Sequence, residues 1–78
     1  WTDPDVKSDF VHFMEWLVNR RNTVNGVRYG DDPALLGWQF GNEFLSYAPD
    51  RRLDPAEWTP RITDWTLEMA SHLRRLDP

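Results

Sequence analysis

The sequence contains one short apolar run, residues 34–40, and this run restricts the possible folds more than any other feature. Pro33 precedes the run. Proline fixes φ and lacks an N–H, so it suits the position just before a strand. The run has no charge and no clean alternation of polar and apolar residues, which is typical of a strand covered on both faces. One strand cannot form a sheet, because its backbone N–H and C=O groups would lack partners. We therefore expect an internal segment of a larger α/β protein.

A helix is predicted before this run, over residues 4–22. Asp3 is a suitable N-cap, and Pro4 suits the first helical position. Apolar residues then recur at spacings of three and four, which gives the helix one apolar stripe. Arg20 and Arg21 are expected in the last turn, where cations interact favourably with the helix dipole.

A second helix is predicted to begin at Pro60, after a short turn that starts at Asp54. A proline six residues inside one longer helix would be costly, because it lacks the N–H and crowds the preceding turn. Large apolar side chains keep the helical period and predict a buried face, made of Trp58, Ile62, Trp65, Met69, Leu73 and Leu76. The predicted order is helix, strand, helix.

The composition argues against several classes of function. The net charge is −4 and the Lys and Arg residues are scattered, so the chain offers no basic patch for nucleic acid. No apolar run is long enough to cross a bilayer, and no signal peptide is recognisable. The chain has no cysteine, and its two histidines, His12 and His72, are far apart in sequence, so no metal site is predicted.

The sequence also carries linked motifs along almost its whole length. They are Trp1-Thr2-Asp3-Pro4, Arg20 and Asn22, Gly26 with Tyr29, the stretch from Asp31 to Trp38, Gly41-Asn42-Glu43, Trp65 with Glu68-Met69-Ala70, and Leu76-Asp77-Pro78. Together these motifs resemble glycoside hydrolase family 5, and most closely the endo-β-1,4-mannanases within it. Several motifs at the right intervals are far more specific than a lone Asn-Glu pair.

The resemblance implies a fold and a site. The fold would be a (β/α)8 TIM barrel, and residues 1–78 would be a partial catalytic domain: its third helix, fourth strand and fourth helix. The rest of the barrel would be required for activity. Glu43 would be the general acid/base, and Asn42 would bind substrate. The resemblance likewise implies a polysaccharide substrate, β-mannan or a related β-glycan, and an extracellular location.

Two positions depart from the family pattern. Gln39 stands where many relatives carry Glu, and Phe44 stands where Pro commonly follows the catalytic Glu. Neither change removes a catalytic atom, so Phe44 bears on substrate preference more than on activity. Phe44 and Tyr47 follow Glu43 on the mouth side of the implied barrel. We therefore expect both aromatic side chains to bind substrate by stacking on a sugar.

The chemistry needs more than this segment. Retaining hydrolysis uses two carboxyl groups about 5–5.5 Å apart. Glu43 can protonate the leaving oxygen, but Asp31 and Asp32 lie at the opposite end of the predicted strand, roughly 20 Å away. The second carboxylate is expected from a later strand, so we expect the 78 residues alone to be inactive. Two carboxyl groups suffice for the reaction, so no cofactor is implied.

Alternatives stay open at this point. The substrate could be another β-glycan such as cellulose, or the parent protein could be a non-catalytic glycan-binding barrel that has lost its nucleophile. The chain could also be a small helical interaction module. Taken alone, Glu43 is also compatible with a solvated carboxylate at a strand end, and Asn42 with a turn former.

Overall fold

The computed structural model describes residues 1–42, 44 and 54–78. In these residues the chain forms two α-helices, α1 over Pro4–Asn19 and α2 over Pro55–Leu76. A short 3-10 helix over Tyr29–Asp31 lies between them. Among the described residues, no helix combines the length and the apolar character that a membrane span requires.

Helix α1 begins as predicted but ends earlier. The Asp3 carboxylate accepts hydrogen bonds from the backbone N–H groups of Asp5 and Val6, at 2.9 and 3.2 Å, which confirms the N-cap. The helix ends at Asn19 because Arg20 adopts an extended conformation, with φ −62° and ψ 134°. The predicted end at residue 22 is therefore wrong, as is the placement of both arginines in the last turn.

Local hydrogen bonds explain the early end of α1. Arg21 and Arg28 form an isolated antiparallel bridge, which folds the chain back after the helix. The Asn22 side chain accepts from the N–H of Val24 at 2.9 Å, and such side-chain bonds compete with helical ones. Gly26 completes the turn with φ +73°, a conformation that favours glycine.

Helix α2 begins at Pro55 rather than at the predicted Pro60, which lies inside the helix. The Asp54 carboxylate caps the helix by accepting from the N–H of Ala56 at 2.9 Å. Pro60 has no N–H to donate to the carbonyl of Ala56. Both residues are exposed, so water can bind that carbonyl. The strong cap and this solvation explain why the prediction of a later start was wrong.

Residues 34–40 form no strand in the described part of the chain, so the predicted helix–strand–helix order is not confirmed. Leu35 and Leu36 are 43% and 96% exposed. No second strand lies beside the run among the described residues, and without one its N–H and C=O groups cannot form a ladder. The indole N–H of Trp38 donates to the Asp77 carboxylate at 2.6 Å, which ties the run to the end of α2.

The core lies between the two helices. Met14 of α1 packs with Trp65 and Met69 of α2, and Met69 is fully buried. Trp58 is also buried, so the prediction that both tryptophans of α2 lie in the core is confirmed. Rings from outside the helices, including Phe40, pack against this cluster. The core therefore extends from the helix pair to the end of the apolar run.

Candidate functional site

The predicted site follows the apolar run. Asn42 is exposed and Phe44 is half-buried. Glu43 and Tyr47 lie outside the described residues. The structure therefore describes the residues on either side of the predicted acid/base, and the roles assigned to Asn42, Glu43, Phe44 and Tyr47 stay predictions.

Two aromatic rings at this site pack on one tryptophan of α2. Phe40 lies with its ring centroid 6.1 Å from that of Trp65, at an interplanar angle of 81°. Phe44 lies 5.9 Å from the same ring, at 77°. Both are edge-to-face arrangements, which contribute about 0.5–1.5 kcal/mol each beyond the burial of area. The chain is thus attached to α2 both before and after Asn42.

The indole of Trp1 completes the cluster from the start of the chain. Its centroid lies 4.7 Å from that of Trp65 and 5.3 Å from that of Phe44. Phe44 is therefore in contact with two indoles, and the residue as a whole is half-buried. Sequence reasoning assigned Phe44 to substrate and missed this packing. Trp65 lies more than twenty positions further along the sequence, so no local pattern indicates this contact.

Gly41 makes room for the Phe44 ring. A Cβ built at Gly41 would lie 2.5 Å from Cε1 of Phe44 and 2.8 Å from its Cζ, closer than real Cβ contacts allow. The ring therefore lies directly against the Gly41 backbone. Any larger residue at position 41 would displace it.

Asp31, an acid that precedes the apolar run, is bound to a residue outside the predicted site. Arg28 donates to both oxygens of the Asp31 carboxylate, each at 3.0 Å. These hydrogen bonds hold the pKa of Asp31 below its ordinary value. Arg28 also donates to Asn19 at 3.0 Å and to the carbonyl of Leu76 at 3.4 Å, so it joins the ends of α1 and α2. Asp31 therefore belongs to a structural clamp.

Other charged groups join the helices. Lys7 of α1 forms an ion pair with Glu68 of α2. Within residues 1–42, 44 and 54–78, no cluster of three or more His, Asp or Glu side chains could hold a metal ion.

Comparison with known proteins assigns the chain to a family. The family described as "GH family 5 beta-mannosidase-like" matches residues 1–78, so the chain belongs to it. This confirms the resemblance seen in the motifs. No solved structure matches the chain significantly.

Relatives of the chain include plant proteins that are named for their activity. The chain is 38% identical over 78 residues to mannan endo-1,4-beta-mannosidase 8 of Oryza sativa subsp. japonica, covering 100% of this chain and 19% of that protein. It is 36% identical over 77 residues to mannan endo-1,4-beta-mannosidase 3 of Arabidopsis thaliana, covering 99% of this chain and 17% of that protein. The chain thus spans about a fifth of the length of these relatives.

Proposed function

We propose that these residues are part of a retaining glycoside hydrolase that cleaves β-1,4-mannan, with Glu43 as its general acid/base. The observation that carries the proposal is the family match over residues 1–78, together with relatives named as mannan endo-1,4-beta-mannosidases. A family match over the whole segment makes chance similarity around Asn42 and Glu43 a poor explanation.

The proposed fold is the (β/α)8 barrel of the family. In it, α1 and α2 are the third and fourth outer helices, and residues 34–40 become the fourth strand. Both faces of such a strand are covered, and its backbone groups are paired with neighbouring strands. The exposed Leu35 and Leu36 fit this proposal, because their apolar side chains have no cover among the described residues.

The proposed reaction divides the roles between two carboxyl groups. Glu43 protonates the leaving oxygen while a carboxylate from elsewhere in the barrel attacks the anomeric carbon, and Glu43 then deprotonates the water that releases the sugar. Asn42 hydrogen-bonds a sugar hydroxyl beside the reacting carbon, a contact that strengthens in the transition state. The exposure of Asn42 is compatible with this role.

Phe44 and Tyr47 are proposed to stack on sugar rings next to the cleaved bond. Phe44 is only half-buried, which is compatible with such a contact. The substrate is a polysaccharide, so we propose that the complete protein acts outside the cell. The 78 residues alone are proposed to be inactive, because the nucleophile comes from the rest of the barrel.

The test is release of reducing ends from soluble β-mannan by the full-length protein that carries this segment. Gln keeps the shape of Glu but cannot transfer the proton, so the Glu43→Gln variant is expected to lose about 10²-fold or more in rate. Glu15→Gln, at an exposed position of α1, is the matched control and should keep full activity. Equal rates for the wild type and Glu43→Gln would overturn the assignment of Glu43.

Activity of the wild type on cellulose but not on mannan would show that the proposed substrate is wrong, while the proposed reaction would still hold. Binding without hydrolysis of either glycan would indicate a non-catalytic barrel.

A further inference from the structure

We propose that Asn25 is a site of spontaneous covalent modification, at which the side-chain amide is lost as ammonia and the backbone is rearranged. The site lies in the turn between α1 and the 3-10 helix. Its modification acts on the clamp that Arg28 forms between the ends of the two α-helices. This modification is independent of the function proposed above.

The sequence restricts the reaction to one residue. The chain has four asparagines, and Asn25 alone is followed by glycine. In this reaction the backbone nitrogen of the next residue attacks the side-chain carbonyl carbon, and a Cβ on that next residue hinders the approach. Glycine has no Cβ. A Cβ built at Gly26 would meet no atom within 4 Å, so the turn also has room for the ring that forms.

The turn activates the side-chain amide of Asn25. The N–H of Val27 donates to Oδ1 of Asn25 at 3.0 Å. Negative charge develops on this oxygen when a nucleophile adds to Cγ, and a donor that is already in place stabilises such charge. Asn25 and Gly26 are both exposed, so water and base can reach them.

The same turn restrains the attacking nitrogen. The N–H of Gly26 donates to the carbonyl of Asn22 at 2.8 Å, and this bond has to open before the nitrogen can lose its proton and attack. Arg21 donates from Nη1 to the carbonyl of Gly26 at 3.0 Å, which stabilises the closed turn. The rate of the modification is therefore set by how often this exposed turn opens.

The reaction has two steps. The Gly26 nitrogen forms a bond to Cγ of Asn25 while the bond from Cγ to the side-chain nitrogen breaks, and ammonia leaves with the proton that the Gly26 nitrogen lost. One water then opens the cyclic imide. If the water breaks the new bond to Cγ, the product is an ordinary aspartate. If it breaks the original peptide bond, the product is isoaspartate, in which the main chain runs through the side chain and gains one methylene.

The longer main chain of isoaspartate disturbs the clamp. The turn is closed by a bond from the N–H of Asn22 to the carbonyl of Val27, at 2.8 Å, and the bridge between Arg21 and Arg28 adjoins it. An extra methylene inside the turn changes the spacing that these contacts need. Arg28 then loses the position from which it donates to the carbonyl of Leu76. Ordinary aspartate keeps an acceptor for the N–H of Val27 and leaves the turn intact.

The experiment follows the full-length protein in mildly alkaline buffer over time. Trypsin cleaves after Arg21 and Arg28, so one peptide carries both Asn25 and Asn22, and Asn22 is the internal control. Mass spectrometry measures the replacement of the side-chain NH2 by OH, and electron-transfer fragmentation distinguishes aspartate from isoaspartate. A sample digested at the start corrects for conversion during digestion.

We expect Asn25 to convert while Asn22 and Asn42 remain unchanged. The isoaspartate form, separated by ion exchange, should melt at a lower temperature than the unconverted protein. Asn25→Ser keeps a side-chain oxygen for the N–H of Val27 but has no amide to lose. Its melting temperature should therefore stay constant during the incubation.

A second pair of variants tests whether opening of the turn controls the rate. Arg21→Ala removes the bond to the Gly26 carbonyl and should speed the conversion about 2- to 10-fold, the factor that corresponds to the net strength of one hydrogen bond. Arg61→Ala replaces an exposed arginine of α2 and is the matched control, which should convert at the wild-type rate.

Four results would overturn the proposal. Conversion of Asn22 or Asn42 as fast as Asn25 would show that the turn is not a specific site. No conversion of Asn25, under conditions in which a synthetic peptide of residues 22–28 converts, would show that the closed turn blocks the reaction. An unchanged rate in Arg21→Ala would exclude control by opening of the turn. Equal melting temperatures of the isoaspartate form and the unconverted protein would exclude an effect on the clamp.

Discussion

The helix pair and part of its connection, residues 33–42 and 44, are both rich in apolar side chains, yet only the helix pair buries them well. Val18 and Met69 are 1% and 0% exposed, whereas Leu36 is 96% exposed. The difference lies in the backbone. A helix satisfies its own N–H and C=O groups, while an extended run needs a neighbouring strand.

The connecting residues are themselves not uniform. Their first part, with Leu35 and Leu36, is exposed. Their later part is attached to α2 through Trp38, Phe40 and Phe44. α2 therefore holds the end of the run next to the predicted site, although the described residues form no sheet.

Hydrogen exchange should give the largest contrast between the two regions. In the 78-residue chain we expect backbone amides at the centre of α2, around Met69, to exchange at least about 10²-fold more slowly than those of residues 36–40. Among the described residues, the amides of 36–40 donate no backbone hydrogen bond. In the full-length protein the same amides should become strongly protected. Equal protection of both regions in the short chain would contradict the difference in burial and hydrogen bonding described above.

Truncating the core should have the next largest effect. Met69→Ala is expected to cost about 2–5 kcal/mol of unfolding free energy, because it leaves a cavity at a fully buried position. Leu67→Ala, two residues away on the same helix, is the matched control. Leu67 is 66% exposed, so this change should stay within about 0.5 kcal/mol. Urea unfolding measures both, and similar losses would contradict the packing described here.

The capping of α2 should have a smaller effect. Asp54→Ala removes the acceptor for the N–H of Ala56 and is expected to cost about 1 kcal/mol, with a loss of helical signal from the first turn. Asp64→Ala, at an exposed position within the same helix, is the control and should not reduce helicity. An unchanged circular dichroism spectrum for Asp54→Ala would show that α2 does not depend on this cap.

The clamp at Asp31 should produce the smallest effect, seen only in acid. Arg28 lowers the pKa of this carboxyl in the folded chain, so its contribution to stability is present above the ordinary value of 3.8 and is lost as the pH falls below it. Asp31→Asn should therefore flatten the decline of the melting temperature on the acid side. Asp9→Asn, an exposed residue of α1, is the control. The same acid decline in wild type and Asp31→Asn would exclude the clamp.

The sequence predicts those parts of the chain whose structure is local. Apolar spacing predicts both helices and the burial of Trp58 and Trp65, because a helix depends on residues three and four apart. The errors lie at helix ends, where a single side chain such as Asn22 or Asp54 decides between competing hydrogen bonds.

The sequence predicts the motif of the site, but it does not predict the aromatic packing beside the site. Asn42 and Glu43 can be predicted because they are polar residues that follow an apolar run and match a family motif. The packing of Phe40 and Phe44 on Trp65 joins residues more than twenty positions apart, so no local pattern predicts it. The predicted strand would be non-local as well, because a strand forms only beside partners, and no partner lies among the described residues.

The central claim is that Glu43 acts as acid/base, and rescue of the Glu43→Ala full-length enzyme by azide tests it most directly. The substrate is a mannooligosaccharide with a 2,4-dinitrophenolate leaving group. It forms the glycosyl-enzyme without acid assistance, but hydrolysis of the glycosyl-enzyme needs a base. Azide is an anion that attacks without such a base. The account predicts that azide accelerates turnover and yields the β-glycosyl azide. An α-glycosyl azide would identify Glu43 as the nucleophile, and turnover of the untreated variant at the wild-type rate would contradict any catalytic role.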